Sequence, residues 1–204
     1  MTVSEYIFDF LQKKGLEVVF MVSGSSAMWL TDALKRNEKL KAVCNQHEQA
    51  SVMAADIYGR LNGIPGVALV TIGPGAMNAI TGVAQAYTDS SALFVISGQA
   101  SSKLLKYEQE TGIRQHGTQS LELEKIISPI TKYFAAVMQP EKIRYHWEKT
   151  FPLSSPHRMP LKKATLSFYA WTLPVGKTAM LTCPTFFRHW TAFHPSLQTV
   201  NTVF

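Results

Sequence analysis

The residues with chemistry to offer sit in two short stretches. Asn45 to Arg60 reads N-Q-H-E-Q-A-S-V-M-A-A-D-I-Y-G-R, a helix that follows an apolar strand and carries Glu48 in its first turn. Small residues behind that acid (Ala50, Ser51, Ala54, Ala55) let the helix lie close to a neighbouring backbone. A carboxylate pressed into such a dry place can share a proton with a ligand nitrogen. The alternative is an acid that only complements the helix dipole. The second stretch, Gly73-Pro74-Gly75-Ala76-Met77-Asn78, lies between a strand and a helix start. Glycines there bring backbone amides close to an anion, or simply make a tight turn. Gly24, also between a strand and a helix, points to a crevice at the carboxyl ends of parallel strands. His47 is either a donor lining such a site or a satisfied helix-start histidine.

The elements that must position these residues follow from the apolar pattern. Val3, Ile7, Phe10 and Leu11 recur at helical spacing up to Gly15. Glu17 to Val22 and Val67 to Ile72 read as buried strands, and Leu40 to Cys44 and Ala92 to Ser97 as two more strands. Between them come helices at Ala27 to Arg36, Asn45 to Arg60 and Ala76 to Tyr87. Alternating strands and helices predict a three-layer, doubly wound, mostly parallel α/β sheet with helices on both faces. Gln99 to Leu123 reads as an irregular loop over the strand ends, and Ile126 to Val137 as another apolar run. Pro140 opens a helix over Glu141 to Lys149.

After Thr150 the character changes. Residues 151–204 hold six of the ten prolines, a single glycine and no acid. The net charge of +6 resides mostly there, since residues 1–150 carry 15 basic against 14 acidic side chains. We therefore expect a domain over 1–150 and an atypical, basic, poorly ordered tail, with one strand somewhere in Leu161 to Leu173. No aromatic–basic repeat supports nucleic-acid binding. No apolar run reaches the roughly 20 residues a membrane span needs, and no signal peptide is recognisable, so a cytoplasmic setting is expected. Cys44 is expected to be a core thiol, and with Cys183 makes no disulfide framework. Gly176-Lys177-Thr178 lacks the earlier glycine of a phosphate loop, and His157, His189 and His194 lack the partners of a metal site.

Taken together, four stretches resemble the N-terminal, pyrimidine-binding domain of thiamine diphosphate enzymes, above all acetolactate synthase-like large subunits. They are Val19 to Met28, the Glu48 helix, Thr71 to Ser90 and the Ser128 to Tyr133 run S-P-I-T-K-Y. The resemblance implies that Glu48 hydrogen-bonds N1′ of the cofactor's aminopyrimidine. It places Gly24, Pro74, Gly75 and Asn78 around that ring and Gln119 near the substrate, a 2-keto acid such as pyruvate. It also implies a dimer, or pairing with a diphosphate-binding domain. This sequence departs from the family pattern at Ser23 and Ser25 around Gly24, and at Ser120, where acetolactate synthases usually have glutamate.

In the family a C-terminal domain with a Gly-Asp-Gly motif holds the diphosphate and its magnesium ion, and this sequence contains no Gly-Asp-Gly. The resemblance therefore implies thiamine diphosphate bound through its pyrimidine end only, no metal site of its own, and a truncated form inactive alone. A shifted reading frame past Lys149 would account for the tail, because a back-translation of Leu161 to Val175 read two bases later can encode an apolar strand ending in Val-Asp-Ile. The alternative is a non-catalytic domain that pairs with a full-length synthase and regulates it.

Overall fold

The computed structural model describes residues 1–151 and the backbone of a strand at 165–172. The histidines, Cys183 and the Gly176 turn of the tail lie outside the described residues. Six parallel strands form one sheet: β1 (Val18–Met21), β2 (Lys41–Cys44), β3 (Gly66–Val70), β4 (Ala92–Gln99), β5 (Tyr133–Val137) and β6 (Thr165–Thr172). Their order is β2-β1-β3-β4-β6-β5. The expected doubly wound α/β architecture is the one observed.

Alternation along the central strands sorts the core into two layers. Val67, Leu69, Phe94 and Ile96 face one side, where α1 (Val3–Lys13), α2 (Met28–Arg36) and α8 (Ile143–Thr150) cover them. Ala68, Val70, Leu93 and Val95 face the other, against α3 (Glu48–Asn62), α5 (Ile80–Thr88) and α7 (Leu123–Ile127). Neither face of β3 or β4 reaches water, which is why these strands read as unbroken apolar runs. Trp147 of α8 anchors the first layer, its ring centroid 5.4 Å from Phe94 and 5.7 Å from Phe10.

The helix that carries Glu48 touches the sheet backbone to backbone. A Cβ on Gly66 would stand 1.9 Å from the Ala55 carbonyl oxygen, and one on Gly59 would stand 2.4 Å from the Gly66 nitrogen. The close approach expected of the small residues therefore occurs at Ala55, Gly59 and Gly66. Ser51 and Ala55 are buried, whereas Ala50 is exposed. Asp56, a second acid of α3 that sequence reasoning passed over, is fully buried and accepts a hydrogen bond from Gln85 Nε2 of α5 at 3.2 Å.

Several expectations need correction. The helix expected at Ala76 to Tyr87 starts earlier and is broken into α4 (Pro74–Asn78) and α5. The supposed loop after Gln99 contains α6 (Ser102–Thr111), a helix with no buried residue and so no apolar stripe to announce it. Cys44 is exposed because β2 is an edge strand with little cover. One strand does lie within Leu161 to Leu173, but it fills the slot between β4 and β5, so the sheet draws on sequence beyond Thr150. No described helix is long and apolar enough to cross a membrane.

At the start of the chain Thr2 and Glu5 form a reciprocal capping box on α1. The Thr2 N–H donates to Glu5 Oε2 at 2.7 Å, and the Glu5 N–H donates to Thr2 Oγ1 at 3.2 Å. That backbone hydrogen bond, helped by the Thr2 hydroxyl and Arg36, outweighs partial burial and holds the Glu5 carboxyl below its ordinary value. Thr2→Ala is expected to lower stability by about 1 kcal/mol in denaturant unfolding at neutral pH. Because the native value is the lower one, the Glu5 contribution is present above the usual carboxylate range and fades as pH falls through the lowered value. Thr2→Ala keeps the backbone donor and loses only the smaller share owed to the hydroxyl, so the gap to wild type should narrow only slightly in acid.

Candidate functional site

The strand order reverses between β1 and β3, whose following segments leave in opposite directions and open a crevice at their carboxyl ends. Gly24, the Gly73–Gly75 turn and Glu48 all lie just past such ends.

His47 caps α3 in an extended conformation, its Nδ1 accepting the Gln49 N–H at 3.2 Å. It is the helix-start histidine of the two readings. This cap makes Glu48 the first helical residue, and the Glu48 side chain turns inward, leaving the residue only 8% exposed. Asn78 Nδ2 donates to Glu48 Oε2 at 3.0 Å, a bond between residues 30 positions apart. The other oxygen, Oε1, lies against the glycine turn, 3.0 Å from where a Gly75 Cβ would be.

The turn needs both of its glycines. Gly73 has φ +59° and ψ −120°, a conformation open to glycine alone. Gly75 has no room for a side chain, since its Cβ would meet Thr71 Cγ2 at 2.6 Å. Gly24 backs onto the same residue, its Cβ position lying 2.4 Å from Thr71 Cβ. Thr71 thus stands at the centre of the cluster, although in the sequence it is only the end of a strand motif. Its Oγ1 is buried and has no hydrogen-bond partner among the described residues. The turn is packed by a carboxylate and opens into a helix of five residues, so its geometry favours the tight-turn reading over an anion cradle.

Gln119 reaches the cluster through its backbone. Its carbonyl oxygen would be 2.3 Å from a Gly73 Cβ, and its own Cβ 2.9 Å away, while the residue as a whole is exposed. Gln119 has φ +53°, in the left-handed region that non-glycine residues rarely occupy. The structure thus brings Gly24, Glu48, Gly75 and Asn78 together around Thr71, and seats Gln119 on Gly73. Pro74, the first residue of α4, is exposed beside them.

The loop that carries Gln119 is tied down by a residue sequence reasoning missed. Glu108 of α6 accepts three hydrogen bonds on Oε1: His116 N at 2.5 Å, Gly117 N at 2.6 Å and Ser120 Oγ at 2.6 Å. Burial by itself would raise the Glu108 carboxyl, but these three donors and the nearby His116 ring bring it below its ordinary value. Ser120, the departure noted in the sequence, is one of the donors.

A buried carboxylate close to a buried, unpartnered hydroxyl suits a nitrogen-bearing ring that can exchange hydrogen bonds with both. The residues present therefore fit the pyrimidine end of thiamine diphosphate. Residues 1–126 match the family described as thiamine pyrophosphate enzyme, N-terminal TPP binding domain, and the chain belongs to that family. Among its relatives are acetolactate synthase large subunits. The Buchnera aphidicola protein is 36% identical over 178 residues, covering 82% of this chain and 30% of its own length. Isozyme 3 of Escherichia coli is 37% identical over 155 residues (76% and 26%), and the chloroplastic enzyme of Arabidopsis thaliana 33% over 157 (76% and 22%). The chain thus spans less than a third of the length of these relatives. A match to 82% of the chain also extends past Thr150, into the stretch set apart by its composition.

Proposed function

We propose that this chain supplies the pyrimidine-binding half of an acetolactate synthase-like site and is inactive without a second domain to hold the diphosphate and its magnesium ion. The observation that carries this reading is the Glu48 carboxylate, shielded from water, oriented by Asn78 and seated against the Gly73–Gly75 turn. Bound there, thiamine diphosphate supplies the electron sink for decarboxylating a 2-keto acid such as pyruvate and joining the product to a second carbonyl. Glu48 holds a proton between its carboxylate and the ring nitrogen that meets it. Asn78 fixes one carboxylate oxygen, so the other is aimed rather than free to rotate. Gly24 and Gly75 let Thr71 and the Glu48 carboxylate pack directly against their main chain, which keeps the carboxylate in place. Gln119, at the rim of the same cluster, contacts the substrate. The working unit is a dimer, or a pair with a diphosphate-binding domain.

The test is reconstitution. Purified chain is mixed with thiamine diphosphate, magnesium and pyruvate, with and without the C-terminal domain of a related synthase. Turnover only in the complete mixture is the expected result. Turnover by the chain alone would overturn the half-site reading. No cofactor-dependent effect in either arm would leave the chain as a non-catalytic domain that pairs with a full-length enzyme.

A further inference from the structure

The hydrogen bonds of Glu108 reach beyond α6. Its carboxylate oxygen gathers two backbone N–H groups and one hydroxyl from a segment that lies 8 to 12 residues further on. The segment is also held on its other sides. Gln115 Nε2 donates to the Gly117 carbonyl at 3.0 Å, and Gln99 Nε2, at the end of β4, donates to the Leu121 carbonyl at 3.4 Å. A Cβ on Gly117 would press on Ala100 at 2.9 Å, so the chain passes directly over the end of β4. Between these ties sits Gln119 in its left-handed conformation, with its carbonyl against Gly73. A strained residue persists only where its surroundings over-determine it. Here the over-determination converges on one charged acceptor, the strong kind of hydrogen-bonding group.

We infer that Glu108 is a positioning residue, which locks the 112–120 loop onto the end of the sheet and thereby holds Gln119 against the Gly73 turn that faces Glu48. Glu108 touches no reacting group and acts only through this loop. Its contribution to turnover rests on the function proposed above, whereas its grip on the loop does not. Ser120 belongs to the same device: a hydroxyl at that position feeds the clamp, which a carboxylate there would repel.

Two variants of the full chain, Glu108→Ala and Ser120→Ala, test this by amide hydrogen exchange and by turnover in the reconstituted mixture. Glu108→Ala is expected to speed exchange at His116, Gly117 and Gln119 by about 10-fold or more, while the amides of β3 and β4 stay at wild-type rates. Ser120→Ala, which removes one donor of three, should do the same to a smaller extent. Turnover in the mixture should fall by about 10-fold for Glu108→Ala at an unchanged melting temperature, as expected when a site residue is mispositioned. Unchanged exchange in the loop would overturn the inference, as would faster exchange spread over the whole sheet, the mark of a merely structural role. Wild-type turnover despite a loosened loop would overturn it as well. If even the wild-type mixture fails to turn over, the proposed function falls, and exchange alone decides the clamp.

Discussion

Glu48→Gln is expected to lower cofactor-dependent turnover of the reconstituted mixture by about 10²- to 10⁴-fold, the range supplied by a positioned proton-transfer group. The substitution changes little else. Glutamine has the same length, its amide oxygen can still accept from Asn78, and the position is already buried. Its amide cannot take up or release a proton in the pH range where the enzyme works. Folding should therefore survive, with a melting temperature within about 2 °C of wild type. Paired kinetic and thermal measurements separate the two effects. A Glu48→Gln mixture that keeps turnover within about threefold of wild type would remove Glu48 from the chemistry.

The second large effect concerns the seat of the helix that carries this acid. Gly66→Ala puts a methyl group 1.9 Å from the Ala55 carbonyl oxygen and 2.4 Å from its carbon. Both are main-chain atoms in the middle of α3, so no side-chain rotation relieves the clash. Either α3 lifts off β3 or β3 bends away from β4. We expect a loss of about 3 kcal/mol or more, at the upper end for overpacking, and a fall in melting temperature of roughly 6–12 °C. Gly63→Ala is the control. It meets open space but must adopt φ +65°, so its loss should be about 1 kcal/mol. If both variants melt together, the helix–strand contact is not what holds α3 in place.

What could be read from the sequence was decided by how local each signal is. The strands around the site are short apolar runs, some closed by a glycine turn (Gly24, Gly73), and the glutamate helix directly follows another, so their order and type were legible. Glu48, Gly24 and the Gly73-Pro74-Gly75 turn each stand just past a strand end, so their nearness could be read from the order of elements. The pairing of Asn78 with Glu48 spans 30 positions, and no local spacing gives it. Thr71 was not legible, because its importance lies in being touched from two separate glycines. The helix Ser102–Thr111 gave no periodic signal, since none of its residues is buried. Only the Gly112 C-cap and the Lys106–Glu110 pair hint at it. Glu108 was invisible because its partners are two main-chain N–H groups and one hydroxyl on a later loop, which no residue pattern encodes. Cys44 was misjudged because a strand's place at the edge is a property of the whole sheet order. The chain past Thr150 gave a strand but not its location, for the same reason.

That location has a consequence for how the protein is made. The strand threaded into the middle of the sheet is the last of the six to leave the ribosome, and it pairs along the full length of β4 on one side and with β5 on the other. Until residue 172 emerges, eight residues of β4 offer an open rail of unpaired amides and carbonyls, the kind of edge that recruits other chains. Such late, non-local pairing is slow to form. Translation past the composition break is thus what seals the sheet, and a nascent chain stalled before it would be a sticky one.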